Sequence, residues 1–263
     1  MTHQVSPHAV VGLGALGRAL ESFLQGTPTE NPAAILFAVK AFDLEAALRE
    51  HEAKWPKEIP FVTLCNGYIW SVIAKLKPIL KDRPIRIGMT TIGSTIKSDG
   101  TIEVFSAGTM TAWGNWGLSK PRPSEGELRL LRRFPKGQWI DDIRPHIRQK
   151  WIFNTVINTL AAAHRLPDNA TLKKHRDEAT EIFAESMQLA DKIWPDLPWD
   201  ISGEDLSKKL WDVVNVTARN ENSMARDMRL NRPTESAYLA GIAEQHDGFP
   251  GLKRLHSLIA LKT

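Results

Sequence analysis

The stretch HAVVGLGALGRALESFLQG (residues 8–26) decides the fold. His8 to Val11 is a short apolar approach, three glycines follow within six residues, and ALESFLQG (19–26) carries a helical pattern. Gly12, Gly14 and Gly17 form G-x-G-x-x-G between a strand and a helix. In such a turn the first glycine permits the tight bend and the second lets backbone approach a pyrophosphate. The third lets the helix pack on the strand, and the helix N-terminus attracts the anion. The spacing alone is common; its place between strand and helix gives it weight.

Working outward, GTPTENP (26–32) is a turn-rich loop. AILFAVK (34–40) reads as a buried strand, and FDLEAALREH (42–51) as a helix with Asp43 at its N-cap. FVTLCNG (61–67) is a strand ending in an Asn-Gly turn, followed by the helix WSVIAKLKPIL (70–80). IRIGMTTIGSTI (85–96) and GTIEVFSAGTMTAWG (100–114) are extended around a turn at SDG (98–100). From about residue 123 the pattern is helical: 146–163, 173–194, a break at WPDLPWDISGED (194–205), then 205–228 and 233–246. Alternating strands and helices followed by helices alone predict α/β plus all-α: a shortened Rossmann-like dinucleotide-binding domain over 1–141, then a helical C-terminal domain over 142–263. The shortening is visible near 26–34. A dinucleotide fold there supplies a second strand ending in a residue that reads the adenosine ribose, about 20 residues after the glycines. Glu30 has the right distance but sits in the loop.

The chain of 263 residues is 42% hydrophobic and 24% charged, enough for two modest cores. Its net charge of +4 is scattered, without the basic stripe of a nucleic-acid binder. The one cysteine, Cys65, excludes an intrachain disulfide and fits a reducing, cytoplasmic compartment. It reads as a small buried filler rather than a nucleophile. No run has membrane-spanning length, and the N-terminus lacks the pattern of a signal peptide.

The most informative chemistry lies in QKWIFNTVINTLAAA (149–163). Lys150, Asn154 and Asn158 recur every four residues while apolar side chains cover the rest of the helix. A helix apolar on most sides is buried, and burying a lysine and two amides is costly without partners. This face is expected to line a cavity. Lys40 and the Asn66-Gly67 turn end two strands, where ligands bind in open α/β sheets. ENSMARDMRLNRPTESAYLAG (221–241) adds Ser223, Asp227 and Glu235, with Pro233-Thr234-Glu235 read as a helix start.

Taken together these segments resemble the ketopantoate reductase (2-dehydropantoate 2-reductase) family. GLGALG (12–17), VKAF (39–42), LCNG (64–67), GMTTIGS (88–94), SAGTMTAWG (106–114), KWIFNTVINTLAA (150–162) and NSMARDMRLNRPTESAYLAG (222–241) follow in that family's order. The resemblance implies reduction of 2-dehydropantoate, a small 2-keto acid, to pantoate with NADPH, a step of pantothenate biosynthesis. By position, Lys150 is the general acid and Glu235 holds the substrate hydroxyl and orients Lys150. Asn66, Asn154, Asn158 and Ser223 bind substrate. Gly12, Leu13, Gly14, Ala15, Leu16 and Gly17 with Lys40 and Asn66 contact NADP. The departure is the missing segment after Gly26, where the family usually reads the NADP 2′-phosphate with a basic residue. Arg18 could partly substitute, and NAD stays open as cofactor. The loss also leaves a sheet edge to be covered. A rival reading is a catalytically silent homologue that binds a small acid or nucleotide without turnover. No nucleic acid or membrane is implied, no metal is expected, and a homodimer is the candidate assembly.

Overall fold

A computed structural model of the chain describes residues 6, 8–25, 31–97, 99–105, 109–116 and 122–261. Glu30 and most of its loop, the first five residues, Ser98 and residues 106–108 therefore lie outside the described residues. The chain divides into two compact units, Met1–Cys65 with Ile69–Arg144, and Asn66–Tyr68 with Pro145–Thr263. The division falls three residues beyond the expected boundary. It also assigns the Asn66–Tyr68 turn to the helical unit, which a linear reading does not anticipate.

The first unit contains strands β1 (Val10–Val11), β2 (Ile35–Phe37), β3 (Phe61–Thr63), β4 (Ile85–Thr90), β5 (Gly93–Ile96), β6 (Ile102–Phe105), β7 (Thr111–Gly114) and β8 (Gln138–Ile140). Its helices are α1 (Ala15–Leu24), α2 (Leu44–Glu52), α3 (Trp70–Leu80) and α4 (Glu125–Leu131). Six strands form one sheet in the order β1-β2-β3-β4-β7-β8, parallel except for the β4–β7 pair. β5 and β6 form a separate antiparallel hairpin. The βαβ units come from apolar runs too short for helices, such as Ile35-Leu36-Phe37, each fully buried. Val10, Leu20, Leu24, Leu36, Val62, Leu64 and Trp113 close the core between sheet and helices. A buried ion pair, Arg86 Nε to Glu127 Oε1 at 2.9 Å, ties α4 to β4. The same Glu127 completes a capping box with Ser124.

Three details of this unit depart from the sequence reading. α1 starts at Ala15, inside the glycine motif and four residues earlier than its apolar pattern suggests. β8 is a strand within the stretch read as helical, and it pairs in parallel with β7. Asp43 occupies the N-cap of α2 but makes no capping bond there, because a 3-10 turn over Ala41–Asp43 leads into the helix.

Among the described residues β1 lies at the sheet edge, where its outward backbone groups would be open to another strand. Ser6 occupies them. Val10 N–H donates to Ser6 Oγ at 3.2 Å, and Ser6 N–H donates to the Val10 carbonyl at 2.9 Å.

The second unit is built on α5 (Arg144–Ala163), which begins at the last residue of the first unit, with α6 (Arg176–Ile193), α7 (Gly203–Val216), α8 (Ser223–Arg229) and α9 (Pro250–Ala260). From Trp151 to Ala163 every residue of α5 is buried except Asn154. Arg148, also buried, lies 3.5 Å over the Trp199 ring and donates to the carbonyls of Leu197 and Pro198. Burial pushes its pKa down, and Asp191 and Asp200 oppose that. The single helix expected over 205–228 is two, α7 and α8, parted by the polar TARNEN (217–222). Asn222 supplies the N-cap that restarts the helix. The helix expected over 233–246 is two 3-10 turns, Ser236–Tyr238 and Ala240–Gln245. α9 was not foreseen in the sequence pattern.

Candidate active site

Three glycines shape the turn between β1 and α1. Gly12 has φ +89°, and a Cβ there would lie 2.7 Å from Val39 Cγ1 and 2.9 Å from the Ala38 carbonyl oxygen. A Cβ on Gly17 would sit 1.7 Å from the Gly12 carbonyl oxygen, so only glycine lets α1 close on the turn. Gly14 is different: a Cβ there meets nothing within 4 Å. It is the N-cap of α1 and offers no side-chain cap, leaving the first-turn N–H groups without a capping side chain. Open space in front of uncapped helix amides is what a pyrophosphate needs, so these residues fit a dinucleotide. A groove of about 520 Å³ adjoins the turn, lined by His8, Leu13, Arg18, Glu21, Ser22 and Gln25. Arg18 is exposed and donates from Nε to the Leu13 carbonyl at 3.0 Å. Lys40 follows β2, half-buried, at the start of the 3-10 turn. Cys65 is buried and donates to the Val39 carbonyl, as a filler would.

The second unit gathers most of the polar residues singled out in the sequence. Asn154 Nδ2 donates to Asn66 Oδ1 at 3.4 Å, and Asn66 Nδ2 donates to Glu235 Oε2 at 3.4 Å. Glu235 is 5% exposed. This brings together residues 88 and 169 positions apart. Gly67 makes it possible. Its φ of +87° turns the chain, and a Cβ would lie 2.6 Å from Tyr238 Cβ, so the turn sits directly on the backbone that follows Glu235. The Tyr238 carbonyl accepts from Tyr68 N–H at 2.8 Å and from Trp151 Nε1 at 3.1 Å, locking turn, 3-10 segment and α5 together. Edge-to-face contacts of Trp194 with Tyr68 and Trp151 pack against the same joint, and burial raises the Tyr68 pKa.

Asn158, one turn beyond Asn154, is buried and accepts from Asn222 Nδ2 at 2.7 Å. Asn222 was not singled out in the sequence, though an asparagine before a helical run is an N-cap signal. Lys150 stands one turn before Asn154 and is half-buried. Ser223 is the first residue of α8, next to Asn222, and exposed; no hydrogen bond joins its side chain to the amides among the described residues.

Two family models match: ketopantoate reductase PanE/ApbA over residues 25–116 and its C-terminal part over residues 142–244. The chain belongs to the ketopantoate reductase family. The 2-dehydropantoate 2-reductase of Salmonella typhimurium is 28% identical over 212 residues, covering 79% of this chain. The chain spans 65% of that relative's length. The enzyme of the same name from Yersinia pestis is 24% identical over 253 residues, covering 92% of this chain and 80% of the relative. The crystal structure of "probable 2-dehydropantoate 2-reductase" from Bacillus subtilis superposes with a TM-score of 0.68 at 21% identity, covering 89% of this chain and 78% of that one. D-mandelate dehydrogenase, solved with NADH and anilino(oxo)acetate, gives 0.78 at 18% identity, covering 96% and 97%. These structures share the fold: a Rossmann-like sheet with helices, then a helical domain.

Elsewhere in this ketopantoate reductase homologue, His164, His175 and Glu178 form a cluster with metal-type ligands. The two rings stack at 4.1 Å and 27°. Glu178 is engaged by His164 at 2.7 Å and by Arg254 at 2.7 Å. Burial opposes its ionisation, but hydrogen bonds from Arg254 and His164 outweigh that and hold its carboxyl below the usual range. The cluster is a hydrogen-bond network around the Glu178–Arg254 ion pair, joining α6 to α9 and the end of α5. No helix among the described residues is long and apolar enough to cross a membrane.

Proposed function

We propose that the chain is an NAD(P)H-dependent reductase of a small 2-keto acid, with 2-dehydropantoate the foremost candidate. The observation that carries this is the Asn154–Asn66–Glu235 chain on the face of α5 that also bears Lys150. A buried carboxylate with two amides serves a hydroxylated polar ligand, and a lysine one turn away serves a developing oxyanion. In this reading Asn66, Asn154, Asn158 and Ser223 hold the substrate, and Glu235 holds its hydroxyl. Lys150 donates the proton that neutralises the alkoxide, Nζ to the former ketone oxygen. The glycine turn, with Leu13, Ala15, Leu16, Lys40 and Asn66, holds the dinucleotide, whose reduced nicotinamide supplies the hydride when bound. The relatives that carry the name 2-dehydropantoate 2-reductase point the same way.

A second reading, binding without turnover, draws on the edge position of β1: among the described residues no strand lies beyond it to carry an adenosine contact. Mixing purified protein with 2-dehydropantoate and either NADPH or NADH, and following nicotinamide absorbance, separates the two. Turnover with formation of pantoate supports the reductase. Saturable binding of either ligand with no pantoate formed replaces it by the silent homologue. The homodimer belongs to the same proposal, and sedimentation of the pure chain tests it.

A further inference from the structure

The polarity of the Asn158 amide is set from outside the substrate-binding set. Asn222 is 7% exposed and Asn158 8%, so neither can trade partners freely with solvent. Asn222 Oδ1 accepts from the backbone N–H groups of Met224 at 2.9 Å and Ala225 at 3.4 Å. Backbone N–H groups only donate, so the oxygen of Asn222 must face them, and its NH2 faces the other way. That NH2 meets Asn158 at 2.7 Å, which obliges Asn158 to turn its oxygen toward Asn222. No other hydrogen bond engages the Asn158 amide among the described residues. Its own NH2, two donors and no acceptor, is left for a ligand.

We propose that Asn222 is a positioning residue: through the α8 cap it fixes the Asn158 amide so that α5 presents a donor there. The site thereby selects a ligand group that only accepts, such as a carboxylate or ketone oxygen, over one that must donate. This rests on the reductase reading for the identity of the ligand but not for the polarity. The effect passes from the α8 backbone through two side chains to the ligand. It is independent of the Glu235 branch, where the acceptor-only carboxylate orders Asn66 and Asn154 in its own way.

Asn222→Asp separates this role from capping. Aspartate caps a helix as well as asparagine does, so α8 keeps its start and the melting temperature should move little. Aspartate offers only acceptors, however, so Asn158 must rotate and donate to it, showing its oxygen to the ligand. Hydrogen bonds to a charged group are worth enough that KM for 2-dehydropantoate should rise about tenfold or more, with kcat changed far less. In an Asn158→Ala background the same substitution should add nothing to KM, since the residue acts through Asn158. An unchanged KM in Asn222→Asp, or an equal rise with and without Asn158, overturns the proposal. Side-chain amide resonances of Asn158 in 15N-labelled protein give a ligand-free readout. Its NH2 protons should become hydrogen-bonded, and slower to exchange, only in Asn222→Asp; protons already protected in the wild type overturn the proposal. If the wild type neither binds nor reduces the keto acid, the reductase reading falls, while the amide resonances still decide the polarity.

Discussion

At the glycine turn the proposed binding groups are backbone amides of α1, and what matters about the side chains is that they are missing. On α5 the proposed binding groups are side-chain amides and a lysine, and what matters is which partner each amide has. The first site is local: Gly12, Gly14 and Gly17 lie within six residues, and each role follows from what a Cβ would touch. The second is assembled across 169 positions, from α5, the Asn66-Gly67 turn and the segment after Pro233. A local backbone site survives deletion elsewhere in the sheet. A side-chain network depends on every element that contributes to it. The segment that the sequence reading takes as shortened lies next to the first site, and the proposed residues of the second lie within one unit.

The largest effect should come from the side-chain site. Lys150→Ala removes the proposed proton donor and should lower kcat by about 10²–10⁴-fold. The lysine is half-buried, so the fold should persist and the melting temperature stay close to that of the wild type. Near-normal turnover of 2-dehydropantoate by a folded Lys150→Ala protein would remove Lys150 from the chemistry.

Gly67→Ala tests how far the network depends on one turn. The new Cβ would meet Tyr238 at 2.6 Å in a backbone conformation with φ +87°. The turn must back away, carrying Asn66 from Glu235. A displacement of about 1 Å in a positioning group can cost on the order of 100-fold, so kcat/KM should fall by about that much. Dinucleotide binding, measured by nicotinamide fluorescence, should fall much less, because only the proposed Asn66 contact is disturbed and the glycine turn is untouched. Equal losses in both readouts would mean that the two sites do not separate as described.

The glycine turn makes its own internal contrast. Gly17→Ala drives a Cβ to 1.7 Å from the Gly12 carbonyl oxygen. Overpacking against backbone of that kind costs about 3 kcal/mol, which for a chain of this size lowers Tm by roughly 6–12 °C. Gly14→Ala adds a Cβ where nothing lies within 4 Å, so stability should shift by less than about 0.5 kcal/mol. NADPH binding should nonetheless weaken about tenfold, because that space is where the pyrophosphate would sit. A Gly14→Ala protein that binds NADPH as the wild type does would show that the turn is a structural bend without a ligand.

The two regions were also unequally legible in the sequence. The three glycines, the strands Ile35–Phe37 and Phe61–Thr63, and the burial of α5 all follow from local pattern. So does the α5 face itself, since Lys150, Asn154 and Asn158 recur at helical spacing. The partners do not: that Asn66 joins the second unit is decided by contact of Gly67 with Tyr238, which no local pattern carries. Running one helix from 205 to 228 hid the break at 217–222 and, with it, the cap on which Asn158 depends. The two 3-10 turns were missed because Pro233 and a helix-compatible composition resemble a helix start, and only the backbone at Leu239 (φ −118°, ψ −106°) separates them.

The smallest effect expected is a near-absence of discrimination. In a full dinucleotide fold a residue at the end of the second strand reads the adenosine ribose or its phosphate. Here β1 is the sheet edge, its outward groups are occupied by Ser6, and Arg18 is the one arginine or lysine among the described residues that line the adjoining groove. Arg18 is exposed and donates from Nε to Leu13, so its charge is screened and only part of its donor set is available to a phosphate. An exposed pair of this kind is worth roughly 0.2–1 kcal/mol, which corresponds to a Kd for NADPH no more than about fivefold below that for NADH. Arg18→Ala should erase the difference while leaving NADH binding unchanged. A preference for NADPH of a hundredfold or more, or one that survives Arg18→Ala, would place the phosphate contact on residues other than those lining this groove.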